Sequence, residues 1–111
     1  MRILYGKRSI GIKTKQVSFF GKFTGLMFNR GRDVLLFDFG KEVRYSIHSL
    51  FVFYPFLALW LDSNNKVLDY KTITPFRFGI KPKKSFRKLI EIPFNRGNKR
   101  IFGFFVDKGN I

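Results

Sequence analysis

His48 is the only histidine, and so the one side chain whose unperturbed charge changes near neutral pH; proton-transfer chemistry would centre on it. Ser46 and Ser49 lie beside it in sequence. If Val43 to His48 is a strand, alternation sets Arg44, Ser46 and His48 on one face and Val43, Tyr45 and Ile47 on the other. A serine hydrolase would also need a nucleophile elbow and an oxyanion hole, and the chain contains no Gly-x-Ser-x-Gly. An isolated histidine on a strand is more often structural than catalytic. Hydrolysis built on His48 is therefore the least supported reading.

Arg30, Arg32 and Arg77 fall in turns or loops, and a planar guanidinium suits a carboxylate or phosphate. Arg30 and Arg77 could converge with Ser46 and His48 on a small anionic ligand or a chain end. The competing reading pairs each arginine with Asp33, Asp38 or Asp62, and it is favoured for Arg32. Asp62 itself reads as a turn carboxylate bonding backbone amides. The densest basic cluster is Lys81, Lys83, Lys84, Arg87 and Lys88, interleaved with Phe76, Phe78 and Phe86. Cations among rings are what single-stranded nucleic-acid grooves use, although no RNA-recognition signature accompanies them. A solvated loop with its phenylalanines turned inward is the alternative. Gly25-Leu26-Met27-Phe28 reads as core or close backbone approach, and no glycine pattern cradles a phosphate.

The chain has 111 residues, which suits one domain, residues 1–111, around one core. A hydrophobic share of 45% argues against disorder, and sixteen Phe can fill a small β core. No cysteine is present, which excludes disulfides and thiolate-held zinc or iron–sulfur centres. A multi-histidine metal site is impossible with one histidine, and no cofactor is expected. The longest apolar run, Leu50 to Leu61, contains Pro55 and falls short of the roughly 20 residues a membrane helix requires. Met1 to Gly11 has no apolar h-region, so no signal peptide and a cytoplasmic location are expected. The net charge of +15, from 22 basic against 7 acidic residues, favours polyanions. A lysine-rich surface serving solubility is the alternative, but seven acids leave most of the excess unpaired.

The elements that must position these residues are mostly strands. Arg2 to Tyr5, Ser9 to Val17, Asp33 to Phe39 and Val43 to His48 read as strands. Ser18 could cap a helical turn carrying Phe19, Phe23 and Leu26 or Met27, and Gly40-Lys41-Glu42 reads as a turn. The stretch from Ser46 to Asp62 organises the rest, because its apolar run needs cover on both faces. Pro55 cannot donate a ladder hydrogen bond, so two strands are expected to meet there at a corner. Asp62-Ser63-Asn64-Asn65-Lys66 is the clearest turn, and Val67 to Thr74 pairs back across it. Pro75 to Lys84 reads as an ordered loop, Phe86 to Ile92 as a strand, Asn95 to Asn98 as a turn, and Lys99 to Val106 as a last strand. About eight short strands separated by turns predict an all-β barrel or sandwich with at most one short helix.

Gly25-Leu26-Met27-Phe28-Asn29-Arg30 resembles the Gly-Leu-Met-Phe-Arg signature of the DUF192 family, also called UPF0127. The likeness continues through Leu35 to Phe39, Ser46 to Ser49, Phe53-Tyr54-Pro55, Leu59 to Asp62 and Thr74 to Arg77. Leu89-Ile90-Glu91-Ile92-Pro93 resembles the family's closing strand. The resemblance spans roughly residues 9–93 in the family's order and implies a small, mostly β, barrel-like domain. It implies no activity, because the family has no established one. Asn29 moves the arginine one position later than in the commonest motif. The chain after Pro93 lacks a clear counterpart of the family's Gly-rich helix and final Gly-Asp turn.

The sequence therefore points to a single, barrel-like, DUF192-type domain that binds rather than catalyses. Its expected site is a polar patch of Arg30, Ser46, His48 and Arg77 for an anionic ligand. A single-stranded nucleic-acid module using Lys81 to Lys88 is the alternative, and an interaction protein would instead expose some of its sixteen Phe.

Overall fold

The computed structural model describes residues 1–17, 33–44, 55–74, 80 and 82–105. Among these residues, seven strands run in the order β1 (Arg2–Tyr5), β2 (Arg8–Gly11), β3 (Lys15–Val17), β4 (Leu35–Val43), β5 (Phe56–Leu61), β6 (Val67–Ile73) and β7 (Phe86–Pro93). A 3-10 turn (Arg96–Asn98) then leads into one short helix, α1 (Lys99–Phe105). β1 and β2 form a hairpin of their own, while the other five strands make one sheet in the order β3-β4-β7-β5-β6. The protein is mainly β with one short helix, as the turn spacing predicts. The barrel is the part to correct: among the described residues the sheet is open, with β3 and β6 at its edges.

β5 explains the apolar run. It lies between β7 and β6, and all six of its residues are buried. Its side chains divide by alternation between two cores. Leu57, Leu59 and Leu61 join Ile90 and Ile92 of β7, and this face is covered by Ile3, Ile10 and Ile12 of the hairpin segment with Ile101 and Phe105 of α1. Phe56, Ala58 and Trp60 face the other way, beside Leu35 and Phe37 of β4, Ile73 of β6, and Phe86 and Leu89 of β7. The β5–β6 hairpin forms as predicted. Asp62 Oδ1 accepts from the amides of Asn64 (2.8 Å) and Lys66 (2.9 Å), and Asn65 takes the positive φ of 64° that closes the turn.

Three local expectations change. Ser9 to Val17 is two strands: β2 pairs antiparallel with β1, whereas β3 pairs parallel with β4 in the other sheet. Gly40-Lys41-Glu42 does not end a strand. β4 runs through it with a bulge between Asp38 and Val43, where Gly40 adopts a φ of +73° and donates its amide to Asp38 Oδ1 (2.9 Å). Lys99 to Phe105 is helical, not a last strand. Ile101 and Phe105, four apart, share one helical face and bury it in the hairpin-side core, while Asn95 Oδ1 caps the preceding turn through the Asn98 amide (3.0 Å). The expected helical turn after Ser18 and the corner before Pro55 lie outside the described residues. Among the described residues, no helix is long and apolar enough to cross a membrane.

Candidate ligand site on the buried sheet face

Cross-strand register builds the site. Leu35 of β4, Glu91 of β7, Ala58 of β5 and Lys71 of β6 form one row across the sheet, and Phe37, Leu89, Trp60 and Asp69 form the next row on the same face. Glu91 is only 3% exposed amid apolar neighbours. Neither of its carboxyl oxygens, nor Trp60 Nε1, has a hydrogen-bond partner among the described residues. Burial pushes the Glu91 carboxyl up from its ordinary 4.5 to about 8, because the apolar face disfavours the ion. At neutral pH it is mainly the protonated acid, with one O–H to donate. Trp60 lies diagonally from Glu91 in the register and offers an N–H. Lys71 places its ammonium 6.0 Å from the Trp60 ring centroid, close enough for a cation–π contact. Two unmatched donors at the centre of the face, with the Lys71 ammonium and the Asp69 carboxylate on β6 at its edge, leave room for an incoming acceptor.

No family model matches the chain. A UPF0127 protein of Pyrococcus furiosus is 36% identical over 78 residues, 68% of this chain and 66% of its own length. A UPF0127 protein of Pyrococcus horikoshii is 40% identical over 78 residues, covering 68% of this chain and 67% of the relative. The chain belongs to the UPF0127 family. It spans about two thirds of the length of these relatives and 50% of a Thermococcus kodakarensis UPF0127 protein. Among solved structures, that of a "putative transcription regulator" from Sinorhizobium meliloti 1021 superposes with a TM-score of 0.71. It covers 90% of this chain and 82% of that one at 18% identity, which establishes a shared fold.

In this UPF0127 chain, the sequence-level candidates Arg30, Ser46, His48, Arg77 and Lys81, and also Arg32, lie outside the described residues. The remaining basic cluster does not form one surface. Arg87 and Lys88 are successive strand residues and point to opposite faces. Arg87 Nε lies 3.7 Å from Asp38 Oδ1, while Lys88 Nζ donates to Asn65 Oδ1 in the hairpin turn (2.7 Å). Lys83 and Lys84 are exposed in the segment before β7; the Lys83 amide donates to Asp69 Oδ2 (3.2 Å), and Arg44 Nη2 donates to the Lys83 carbonyl (3.5 Å). Phe86 is fully buried, while Phe76 and Phe78 lie outside the described residues. Asp33 and Asp38, considered as arginine partners, stand by Lys15 (3.8 Å) and Arg87, and Asp62 serves its turn.

Sequence reasoning missed Glu91 as a site residue. A signal existed: it is the one carboxylate inside the apolar run Leu89-Ile90-Glu91-Ile92-Pro93. Its meaning depends on β7 being central and covered, which one strand cannot reveal.

Proposed function

We propose that this UPF0127 chain is a non-catalytic binding domain for a small anionic or chain-end ligand, seated on the sheet face of Glu91 and Trp60. The observation that carries this reading is the pair of buried polar groups, the Glu91 carboxyl and Trp60 Nε1, left without partners among the described residues. Unmatched buried donors are costly, and a carboxylate or phosphate oxygen accepting from both would offset that cost. Lys71 adds positive charge in the same row. Leu35, Leu89 and Phe37 offer apolar contact to the rest of such a ligand. Arg30, Ser46, His48 and Arg77 remain part of the proposal on sequence grounds alone. A cytoplasmic setting belongs to the same reading, and the absence of cysteine fits it.

Trp60 is the only tryptophan, so its emission reports on the site directly. Acetate, a short peptide with a free carboxylate, and inorganic phosphate would each be titrated at pH 6 and pH 9. The expected result is a saturable change at pH 6 that weakens at pH 9, where ionised Glu91 repels an anion, and that disappears in Glu91→Leu. A folded protein with no saturable response to any of the three, or an unchanged response in Glu91→Leu, would sink this reading.

A further inference from the structure

We propose that the surface shared by the β1–β2 hairpin and α1 is a docking site for single-stranded nucleic acid, distinct from the Glu91 face and from the Lys81–Lys88 cluster. Residues 1–17 and 94–105 contain no Asp or Glu. Arg2, Arg8 and Lys13 on the hairpin side, and Arg96, Lys99 and Arg100 on the helix side, are all exposed. Tertiary packing brings the two segments together although they are far apart in sequence. Ile3, Ile10 and Ile12 share a core with Ile101 and Phe105, and Arg100 Nη2 donates to the Gly11 carbonyl (3.0 Å). Lys15, at the end of the first segment, is offset by Asp33, as Arg87 of β7 is by Asp38. Neither segment has a carboxylate of its own to offset Arg2, Arg8, Lys13, Arg96, Lys99 or Arg100.

The aromatic rings of this surface point to bases. Phe94 and Phe102 stack with centroids 4.1 Å apart and planes 25° apart, and Phe94 is 39% exposed. The Arg8 guanidinium lies 4.3 Å from the Phe104 ring centroid. The large hydrophobic residues exposed among the described residues, Met1, Leu4 and Phe94, all belong to these two segments. A surface kept basic for solubility has no use for an exposed ring stack. Cations for phosphates beside rings for bases are what a flexible single strand requires. An anionic membrane fits less well, because α1 has seven residues and spends Ile101 and Phe105 on the hairpin-side core, leaving it no long apolar face to insert.

The test measures binding of the full chain to fluorescein-labelled oligo(U) and oligo(dT) of about twelve nucleotides, within the ~4–16 nucleotides small single-strand binders cover. It is run across a salt series, with heparin and phosphatidylserine vesicles in parallel. Phe94→Ala should weaken oligonucleotide binding about 5- to 150-fold, the worth of one stacked base, and leave heparin binding unchanged. Arg96→Glu with Lys99→Glu should weaken both polyanions and lower the salt slope by about 0.7 for each cation lost. Lys83→Glu with Lys84→Glu is the control and should have the smaller effect. The proposal is overturned if the control pair abolishes binding while Phe94→Ala does nothing. It is equally overturned if heparin and oligonucleotides respond alike to Phe94→Ala, or if vesicles bind and oligonucleotides do not. Circular dichroism of each variant confirms that loss of binding is not loss of fold.

Discussion

Glu91 stands directly opposite Ala58 in the antiparallel pairing of β7 with β5. Ala58 in turn stands opposite Lys71 of β6. The smallest side chain of the row thus separates an acid from a base, at backbones two strand spacings, or about 10 Å, apart. The carboxyl is held in an apolar strip, with the ammonium placed over the Trp60 ring.

That arrangement makes stability depend on pH in a definite direction. Burial raises the folded-state Glu91 value from 4.5 to about 8, so between these values the folded state holds a proton that the unfolded chain has released. The stabilising contribution of the neutral acid is complete below about pH 4.5, declines as pH rises, and is gone above about pH 8. The full span corresponds to about 5 kcal/mol, at about 1.4 kcal/mol for each tenfold change in proton affinity. Urea unfolding from pH 5 to pH 9 should show this decline, and Glu91→Gln should flatten it. A wild-type profile as flat as that of Glu91→Gln would show that Glu91 does not titrate as a buried group.

Asn98 joins the end of β7 to the start of α1. Its Nδ2 donates to the buried Pro93 carbonyl (2.9 Å), while its amide donates to Asn95 Oδ1 (3.0 Å). Asn98→Ala leaves that carbonyl without its partner and should cost about 1–3 kcal/mol. Asn95→Ala removes the cap and should cost about 1 kcal/mol. Denaturant midpoints compared at equal slope measure both, and equal losses would contradict the greater role given to Asn98.

The β5–β6 turn rests on two residues with different duties. Asp62→Ala removes one acceptor shared by two amides and should cost about 1–2 kcal/mol. Asn65→Gly tolerates the positive φ and loses only the contact from Lys88, a small change. Asn65→Val puts a β-branched side chain at that φ and should cost about 1–3 kcal/mol. Thermal unfolding of the three variants should rank glycine as the mildest. Valine as mild as glycine would mean that the turn had found another conformation.

What the sequence determined by itself was local. Asp62 to Lys66 carries its own turn chemistry, and the unbroken apolar run Phe56 to Leu61, read as a strand, required cover on both faces. The family was legible from motif order, and the mainly β class from turn spacing. Tertiary structure decided the rest. Lys99 to Phe105 has a pattern that fits a strand or a helix; packing of Ile101 and Phe105 against the hairpin made it a helix. Arg87 and Lys88 look like one charge cluster in sequence, but the pleat turns them to opposite faces, and their contacts are with Asp38 and Asn65 respectively. Glu91 is one carboxylate in a short apolar strand segment until β4 and β5 close on either side of β7. Its altered acidity comes from desolvation, a property of neighbours distant in sequence, and only the assembled sheet supplies them.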